Sequence, residues 1–182
     1  ERKLFDDDRH NVWQARPVAL ADAAFRTTEK HVARMFNSAF DVDTYFYNNS
    51  EAVAMCSDSH TTLSGASTSA GFDNRVTSAL SAVGVAAARI QMKYFKDDKG
   101  NSISIMPDEL LVPIDLEESA YEIVNSEGKV ETALNNPNFL KGKMSVKVYQ
   151  WLTDTNNWFM MDGGKRKQSL IWFDKAPLEF GQ

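Results

Sequence analysis

Four residues with the side-chain types of a hydrolase lie together at Ser57, Asp58, Ser59 and His60. A serine hydroxyl activated by a histidine, which a carboxylate orients in turn, is the arrangement that performs acyl transfer. Such triads are assembled from distant segments of a chain, and no Gly-x-Ser-x-Gly elbow presents the serine here. We therefore interpret residues 57–60 as a polar loop and keep a small hydrolase using this loop as the less favoured alternative.

The three histidines and the single cysteine do not form a recognisable metal site in the sequence. His10, His31 and His60 are far apart and lack the spacing that places two histidines on one helix face. We interpret His31 as a structural histidine at the edge of an apolar helix face. Cys56 is the only cysteine, which excludes an intrachain disulfide and a zinc site built on cysteines.

The clusters of charged residues are more typical of a solvent-exposed surface than of a catalytic or metal-binding site. The acidic runs at 6–8 and 97–98 do not reproduce the calcium loop with its central glycine and final glutamate. Glu117 and Glu118 resemble a paired acid and base, but in a first helical turn their charge offsets the helix dipole. The basic run 165–167 could contact phosphate or an acidic neighbour. We favour the interpretation that it is a solvent-exposed segment beside a β-hairpin. We therefore predict no catalytic, cofactor-binding or metal-binding residue.

Composition limits the protein to a few classes. The chain has 182 residues, 43% of them hydrophobic, which is enough for one sizeable core or two small ones. Its formal net charge of −5 gives no chain-wide basic field for nonspecific binding to nucleic acid. No apolar run is long enough to cross a membrane, and the N-terminus does not resemble a secretory signal. We expect synthesis in a reducing cytoplasm, and a chain that begins inside a longer product or after processing.

The elements that must position these residues begin with two helices. Residues 1–17 look extended, with Pro17 at the first helical turn. An apolar stripe then predicts a long helix over 18–40, and a polar connection follows over 41–75. A second helix is predicted over 76–96. The residues at its three- and four-residue spacings, which we expect to be buried, are Leu80, Val83, Ala87, Ile90 and Tyr94.

The next segment predicts a turn, a strand and a third helix. Residues 97–101 are typical of a turn, and the apolar residues between 103 and 112 favour a strand that ends at Pro113. Asp115 is a candidate helix cap with Glu118 at the third helical position. The helix should end at the turn 126–129.

The last quarter of the chain predicts an antiparallel β-meander. A loop at 135–138 precedes strands at 144–151, 158–161 and 169–173, which turns at 154–157 and 162–164 separate. A helix-rich front and a β-rich back give an α+β class. The tail carries more aromatic residues than a thin sheet can hide, so we expect some of them to lie at subunit contacts.

Several short motifs together resemble the major capsid protein of tailed phages, in particular the Mu-like major head subunit group with the Hong Kong 97-type fold. The most extended is Pro-Asp-Glu-Leu-Leu-Val-Pro at 107–113. The others are Ala-Leu-Ala-Asp-Ala-Ala at 19–24, Ser-Asp-Ser-His at 57–60 before a Ser/Thr/Gly-rich loop, Ala-Ala-Ala-Arg at 86–89, Leu-Glu at 116–117 and Asn-Asn-Pro-Asn at 135–138.

The resemblance implies a structural subunit with no enzymatic activity and no cofactor. Residues 1–17 would be the end of an extended loop, 18–102 a peripheral domain with a spine helix, and 103–182 an axial domain with the returning β-meander. Copies of the chain would form pentamers and hexamers of an icosahedral shell around double-stranded DNA in the virion. Scaffold, portal or decoration proteins would be further partners. An encapsulin-like compartment shell of the same fold is the alternative within this class.

Overall fold

A computed structural model describes residues 12–45, 52–61, 73–97, 99–129 and 136–173. Within them the chain is mixed α+β, as the sequence predicts. Predictions that fall on 1–11, 62–72, Asp98, Asn135 or 174–182 lie outside the described residues. The elements in chain order are α1 (Val12–Asn37), α2 (Ala82–Lys93), β1 (Glu109–Val112), a 3₁₀ helix (Ile114–Leu116), α3 (Glu117–Asn125), β2 (Ser145–Val148), β3 (Phe159–Met161) and α4 (Gly163–Ser169).

Helix α1 starts earlier than the sequence predicts. It is already helical at Val12, so the expected extended conformation is wrong from there on, and Pro17 lies inside the helix. Pro17 has no backbone amide hydrogen, so one hydrogen bond of the helix is missing. The residues before it, such as Gln14 and Arg16, are good helix formers, and the helix therefore extends to its N-terminal side. The predicted C-terminal end is close to the observed one, because Asn37 is followed by a turn over 38–40.

The N-terminal half of α1 projects from the body. The helix has 26 residues and is therefore about 39 Å long. Every residue over 16–23 is exposed, and the first fully buried side chain is Ala33. The predicted apolar stripe is consequently covered only in its second half, where Phe36 packs into the core.

Helix α2 is shorter than predicted and begins at a side-chain cap. Residues 76–81 are not helical, because the Ser81 hydroxyl accepts a hydrogen bond from the Gly84 amide at 3.0 Å and so fixes the first turn. Gly84 fits closely there, since a Cβ atom would lie 3.0 Å from the Ala79 carbonyl oxygen and would require the backbone to shift. The helix ends at Lys93, three residues before the predicted end.

The predicted buried face of α2 is wrong. Ala87 is exposed, as are Val83 (70%), Ile90 (57%) and Tyr94 (74%), and only Leu80 of the five predicted residues packs partly against the core. The buried residues of α2 are Gly84, Val85 and Ala88. These small side chains let α2 approach the core closely. The larger apolar side chains are therefore left on the outer face.

The turn after α2 is confirmed. The Asp97 carboxylate oxygen Oδ1 accepts hydrogen bonds from the amides of Lys99 and Asn101 at 2.9 and 2.8 Å. Gly100 has a φ of +84°, a left-handed conformation that glycine adopts without strain. The chain then returns through a bridge between Lys96 and Ser102.

The sheet is not the predicted meander. Strand β1 covers only Glu109–Val112, and residues 103–108 are not strand. It lies between the other two strands, parallel to β2 and antiparallel to β3. All four residues of β1 are buried, as is typical of a central strand whose two faces are both covered. Helix α3 makes the crossover that a parallel pair needs.

Helix α3 begins without the predicted capping box. Asp115 lies in the 3₁₀ helix, and the N-cap position of α3 is Leu116, which makes no side-chain cap bond. Glu117 and Glu118 do lie in the first turn, as predicted. The predicted stop is confirmed, since α3 ends at Asn125 and the segment after it forms a bridge from Gly128 to Pro137.

The segment after β3 is helical, where the sequence predicts a turn and a strand. Asp162 is the N-cap of α4, and its carboxylate accepts a hydrogen bond from the Lys165 amide at 2.9 Å. The basic run 165–167 is thus on a helix and not on a hairpin. Residues 170–173 form no strand.

Strand β1 separates two hydrophobic cores. Because successive side chains of a strand point to opposite faces, Leu110 and Val112 enter one core and Leu111 the other. The larger core joins α2, α3 and the sheet through Val85, Ala88, Leu110, Val112, Ala120, Ile123, Val124, Leu140, Met144 and Trp158. The smaller core joins the end of α1 to the sheet through Phe36, Ala39, Leu111 and Phe159. Within the described ranges, no helix combines the length and the hydropathy of a membrane span.

Candidate functional site

The hydrolase-like residues form a loop held by its own backbone contacts. The Ser57 hydroxyl oxygen accepts a hydrogen bond from the Ser59 amide at 3.0 Å, and Ser57 is buried. The His60 Nε2 atom lies 3.2 Å from the Met55 carbonyl oxygen. Asp58 accepts a hydrogen bond from the Ser59 hydroxyl at 3.2 Å. These contacts support the interpretation of 57–60 as a structural loop.

Asn74 holds this loop, a role that no sequence pattern indicates. Its amide oxygen accepts from the Ser57 amide at 2.7 Å, and its amide nitrogen donates to the Met55 carbonyl at 2.9 Å. Its own backbone amide also donates to the Ser57 carbonyl at 3.1 Å. Asparagine is common in loops, so only its partners across 17 residues reveal the clamp.

The single cysteine is poorly suited to act as a nucleophile. Cys56 packs against the smaller core, and its amide donates to the Ala39 carbonyl at 2.7 Å. Burial raises the pKa of its thiol to about 11. Because the thiolate is the reactive form, the side chain behaves as a small apolar group near neutral pH.

The basic run 165–167 contains one residue with a buried partner. The Arg166 guanidinium donates two hydrogen bonds to the Glu109 carboxylate, at 2.6 Å from Nε and 3.2 Å from Nη2. Arg166 lowers the pKa of Glu109 below its usual range, so the carboxylate stays ionised. This pair fastens α4 to the start of β1, a contact that sequence analysis missed because 57 residues separate the partners.

Two neighbouring aspartates reinforce the same junction. Asp108 accepts a hydrogen bond from the Gly163 amide at 2.7 Å. Asp162 accepts one from the Met106 amide at 2.7 Å, and this bond lowers the pKa of its carboxyl. The carboxylates therefore have backbone partners. Among the described residues, no group of three or more His, Cys, Asp or Glu side chains could hold a metal ion.

A cavity of about 560 Å³ lies between the C-terminal half of α1, the sheet and the segment after α4. Its size is in the range of small-molecule sites. Apolar side chains such as Met35, Leu111 and Trp172 line most of it. Its charged lining residues include Glu109 and Arg166, which are bonded to each other rather than directed at a ligand. The cavity therefore has the character of an incompletely covered core.

Two polar contacts fix α1 to the sheet. The Tyr149 hydroxyl lies 3.0 Å from both the carbonyl oxygen and the Oε2 atom of Glu29. Burial, together with the hydrogen bond to Glu29, raises the pKa of Tyr149 to about 12. Asn37 donates to the Trp151 carbonyl at 3.1 Å and accepts from the Thr153 amide at 3.0 Å. The position of α1 is therefore determined near its C-terminal end.

His31 and the aromatic tail lie near the same cavity. The His31 ring makes edge-to-face contacts with Tyr45, at 5.2 Å between centroids, and with Trp172, at 5.7 Å. These contacts favour a structural role for His31. Of the described tail aromatics, Trp158 and Phe159 are buried, Tyr149 and Trp151 are half-buried, and Trp172 and Phe173 are exposed.

Many large hydrophobic side chains of the described residues are exposed. Eighteen large hydrophobic side chains are exposed, compared with fifteen buried hydrophobic residues, four of which are alanines. The exposed set includes Val18, Leu20 and Phe25 on α1 and Val83, Ile90 and Tyr94 on or next to α2. Where such side chains are contiguous, they mark surfaces that contact other molecules. The strongest functional feature of the described residues is thus this exposed surface.

Comparison with known proteins agrees with that character. The model of a family described as phage capsid protein matches residues 1–181. No curated protein and no solved structure matches the chain.

Proposed function

Since the chain belongs to the phage capsid protein family, we propose that it is the major head subunit of a tailed phage and forms an icosahedral shell around double-stranded DNA. Family membership establishes a structural capsid subunit of the virion. The Hong Kong 97-type fold, the Mu-like group, the icosahedral geometry and the enclosed DNA are the proposed refinements. Synthesis in the cytoplasm of a bacterial host belongs to the same proposal.

The exposed apolar surface carries this proposal. The exposed large hydrophobic side chains in the described part of the chain are between 39% and 80% accessible, so a single subunit leaves part of each of them in water. Burying that area between subunits releases about 25 cal/mol per Å². A capsid subunit, which many copies surround, gains this free energy on several sides at once.

The projecting half of α1 supports the same conclusion. In proteins, most of the stability of a helix comes from tertiary packing of its apolar face. Residues 16–23 are all exposed, although Val18 and Leu20 are apolar. A neighbouring subunit could supply the missing contacts. We assign this segment to the spine helix of a peripheral domain.

We propose the domain division that the resemblance implies. Residues 1–17 end an extended loop, 18–102 form the peripheral domain, and 103–182 form the axial domain. Because α1 already begins at Val12, we place the end of the extended loop before that residue. The sheet and α3 fall within the proposed axial part, and α1 and α2 pack onto it.

Electron microscopy of the full-length gene product tests the proposal. We expect closed shells, or rings of five and six subunits, at concentrations where assembly is favourable. A chain that stays monomeric over a wide range of protein and salt concentrations would overturn the proposal. Shells filled with a cargo enzyme, with no DNA, would instead identify an encapsulin-like compartment. Scaffold, portal or decoration proteins would be detected as additional components of the purified particles.

A further inference from the structure

Helix α3 has an exposed face that carries only negative charge. Residues 114–125 contain no lysine or arginine. Glu117, Glu118 and Glu122 are exposed beside Tyr121, which is 64% exposed, while Ala120 and Val124 face the core. None of these three glutamates forms an ion pair with another described residue. We call Glu117, Glu118, Tyr121 and Glu122 the acidic face.

This arrangement is unfavourable within one subunit. Glu118 and Glu122 are four residues apart, where like charges repel each other across one helical turn. Glu117 and Glu118 gain from the helix dipole in the first turn, but Glu122 lies near the C-terminal end, where a negative charge is disfavoured. Lys143 follows Gly142, whose amide donates to the Val124 carbonyl at this end of the helix, but no described lysine or arginine forms an ion pair with Glu122. Positive charge from a neighbouring copy would offset both penalties.

A second surface has the opposite charge and an exposed aromatic ring. Phe139 is 66% exposed, and its ring centroid is 5.4 Å from the Arg89 guanidinium carbon and 6.0 Å from the Lys143 Nζ atom. The Nε atom of Arg89 is buried and has no hydrogen-bond partner among the described residues. Neither cation pairs with a described carboxylate. We call Arg89, Phe139 and Lys143 the basic patch.

We propose that the acidic face of one subunit binds the basic patch of a neighbouring copy of this chain. The two surfaces are complementary in charge, and each includes an exposed aromatic side chain. Tyrosine, phenylalanine and arginine are enriched in the cores of protein interfaces. The Arg89 and Lys143 cations would then pair with Glu118 and Glu122. The inference rests on the proposed function, because it requires copies of the chain to assemble.

The contact is heterologous, since it joins two different surfaces. Such a head-to-tail contact generates a closed ring when its rotation closes. That is the geometry of pentamers and hexamers, whereas a two-fold contact would join identical surfaces. Complementary charges also favour the correct register and suppress contacts between two acidic faces.

Charge exchange between the surfaces tests the inference. Glu118→Lys and Lys143→Glu would be made singly and together in the full-length product, with Asp41→Lys as a control at an exposed carboxylate elsewhere. We expect each single variant to raise the protein concentration needed for assembly about tenfold, which corresponds to about 1.4 kcal/mol. The double variant should return it to within about threefold of the wild type.

Electron microscopy and sedimentation would measure assembly, and circular dichroism would confirm folding of each variant. Glu122→Lys serves as a second acidic variant if Glu118→Lys does not fold. Single variants that assemble like the wild type, or a double variant that is not restored, would overturn the inference. So would a Lys143→Glu variant that forms normal shells but loses DNA, because the basic patch would then bind phosphate. A wild type that never assembles would refute the proposed function instead.

Discussion

The Nε atom of Arg166 lies 2.6 Å from the Oε2 atom of Glu109, and this pair joins the last described helix to the central strand. The Glu109 side chain is only 11% exposed, so its charge is shielded from water and depends on the guanidinium for compensation. The first prediction follows from that dependence.

Replacing Arg166 with alanine should destabilise the subunit by about 2–4 kcal/mol, because Glu109 would be left as a buried charge without its partner. Denaturant unfolding of the unassembled subunit measures this change. Lys165→Ala is the matched control, since Lys165 is exposed on the same helix. Equal stability of the two variants would contradict the importance of the pair.

The same pair predicts a specific pH dependence. Arg166 holds the pKa of Glu109 below its ordinary value of about 4.3. The carboxylate therefore stabilises the fold fully above that value, and the contribution is lost as the pH falls through the lower pKa of the folded state. Unfolding free energies of the wild type and Arg166→Ala should converge on acidification. A constant difference down to the acid transition would argue against this interpretation.

Replacing Tyr149 with phenylalanine should cost about 1 kcal/mol, because the hydrogen bond to Glu29 is lost while the ring still packs. Tyr94→Phe, at an exposed tyrosine, is the control. The raised pKa of about 12 adds a second readout. The protonated phenol is favoured in the fold, so its contribution is present below the ordinary pKa of about 10 and is lost as the pH rises toward 12. A variant as stable as the wild type would contradict this role.

Helix α2 offers a test that separates assembly from folding. Ile90→Ser changes an exposed apolar side chain, so the unfolding free energy of the isolated subunit should change by no more than about 0.5 kcal/mol. Shell or ring formation should nevertheless weaken, because this face would lose apolar area that neighbouring subunits cover. Val85→Ala, on the buried side of α2, should do the reverse and lower stability by about 1–3 kcal/mol. Normal assembly of Ile90→Ser would remove this face from the subunit contacts.

The thiol of Cys56 should react slowly with alkylating reagents in the native subunit at neutral pH. Burial raises its pKa to about 11, so almost none of it is thiolate. The rate should rise to that of an ordinary cysteine after unfolding in denaturant. Fast labelling of the folded protein would show that the thiol is more accessible than its packing against the smaller core indicates.

The sequence by itself determined the features that neighbouring residues encode. The turn at 97–101 was predictable because the Asp97 side chain bonds to amides two and four residues away and Gly100 accepts a positive φ. The C-terminal half of α1, the presence of α3 and the mixed α+β class follow from local periodicity. The absence of a recognisable reactive motif and the resemblance to phage capsid proteins were likewise visible without a structure.

Only the tertiary structure decided which faces are covered and which strands pair. The spacing of the apolar residues predicted that Ile90 is buried. In the structure α2 packs against the core through Gly84 and Ala88, and Ile90 is exposed. The α4 helix formed where a strand was expected, because Asp162 caps it and Arg166 reaches Glu109 across 57 residues. Helices and turns depend on hydrogen bonds over a few residues, but burial and strand order depend on contacts between distant segments. A single sequence does not reveal those contacts.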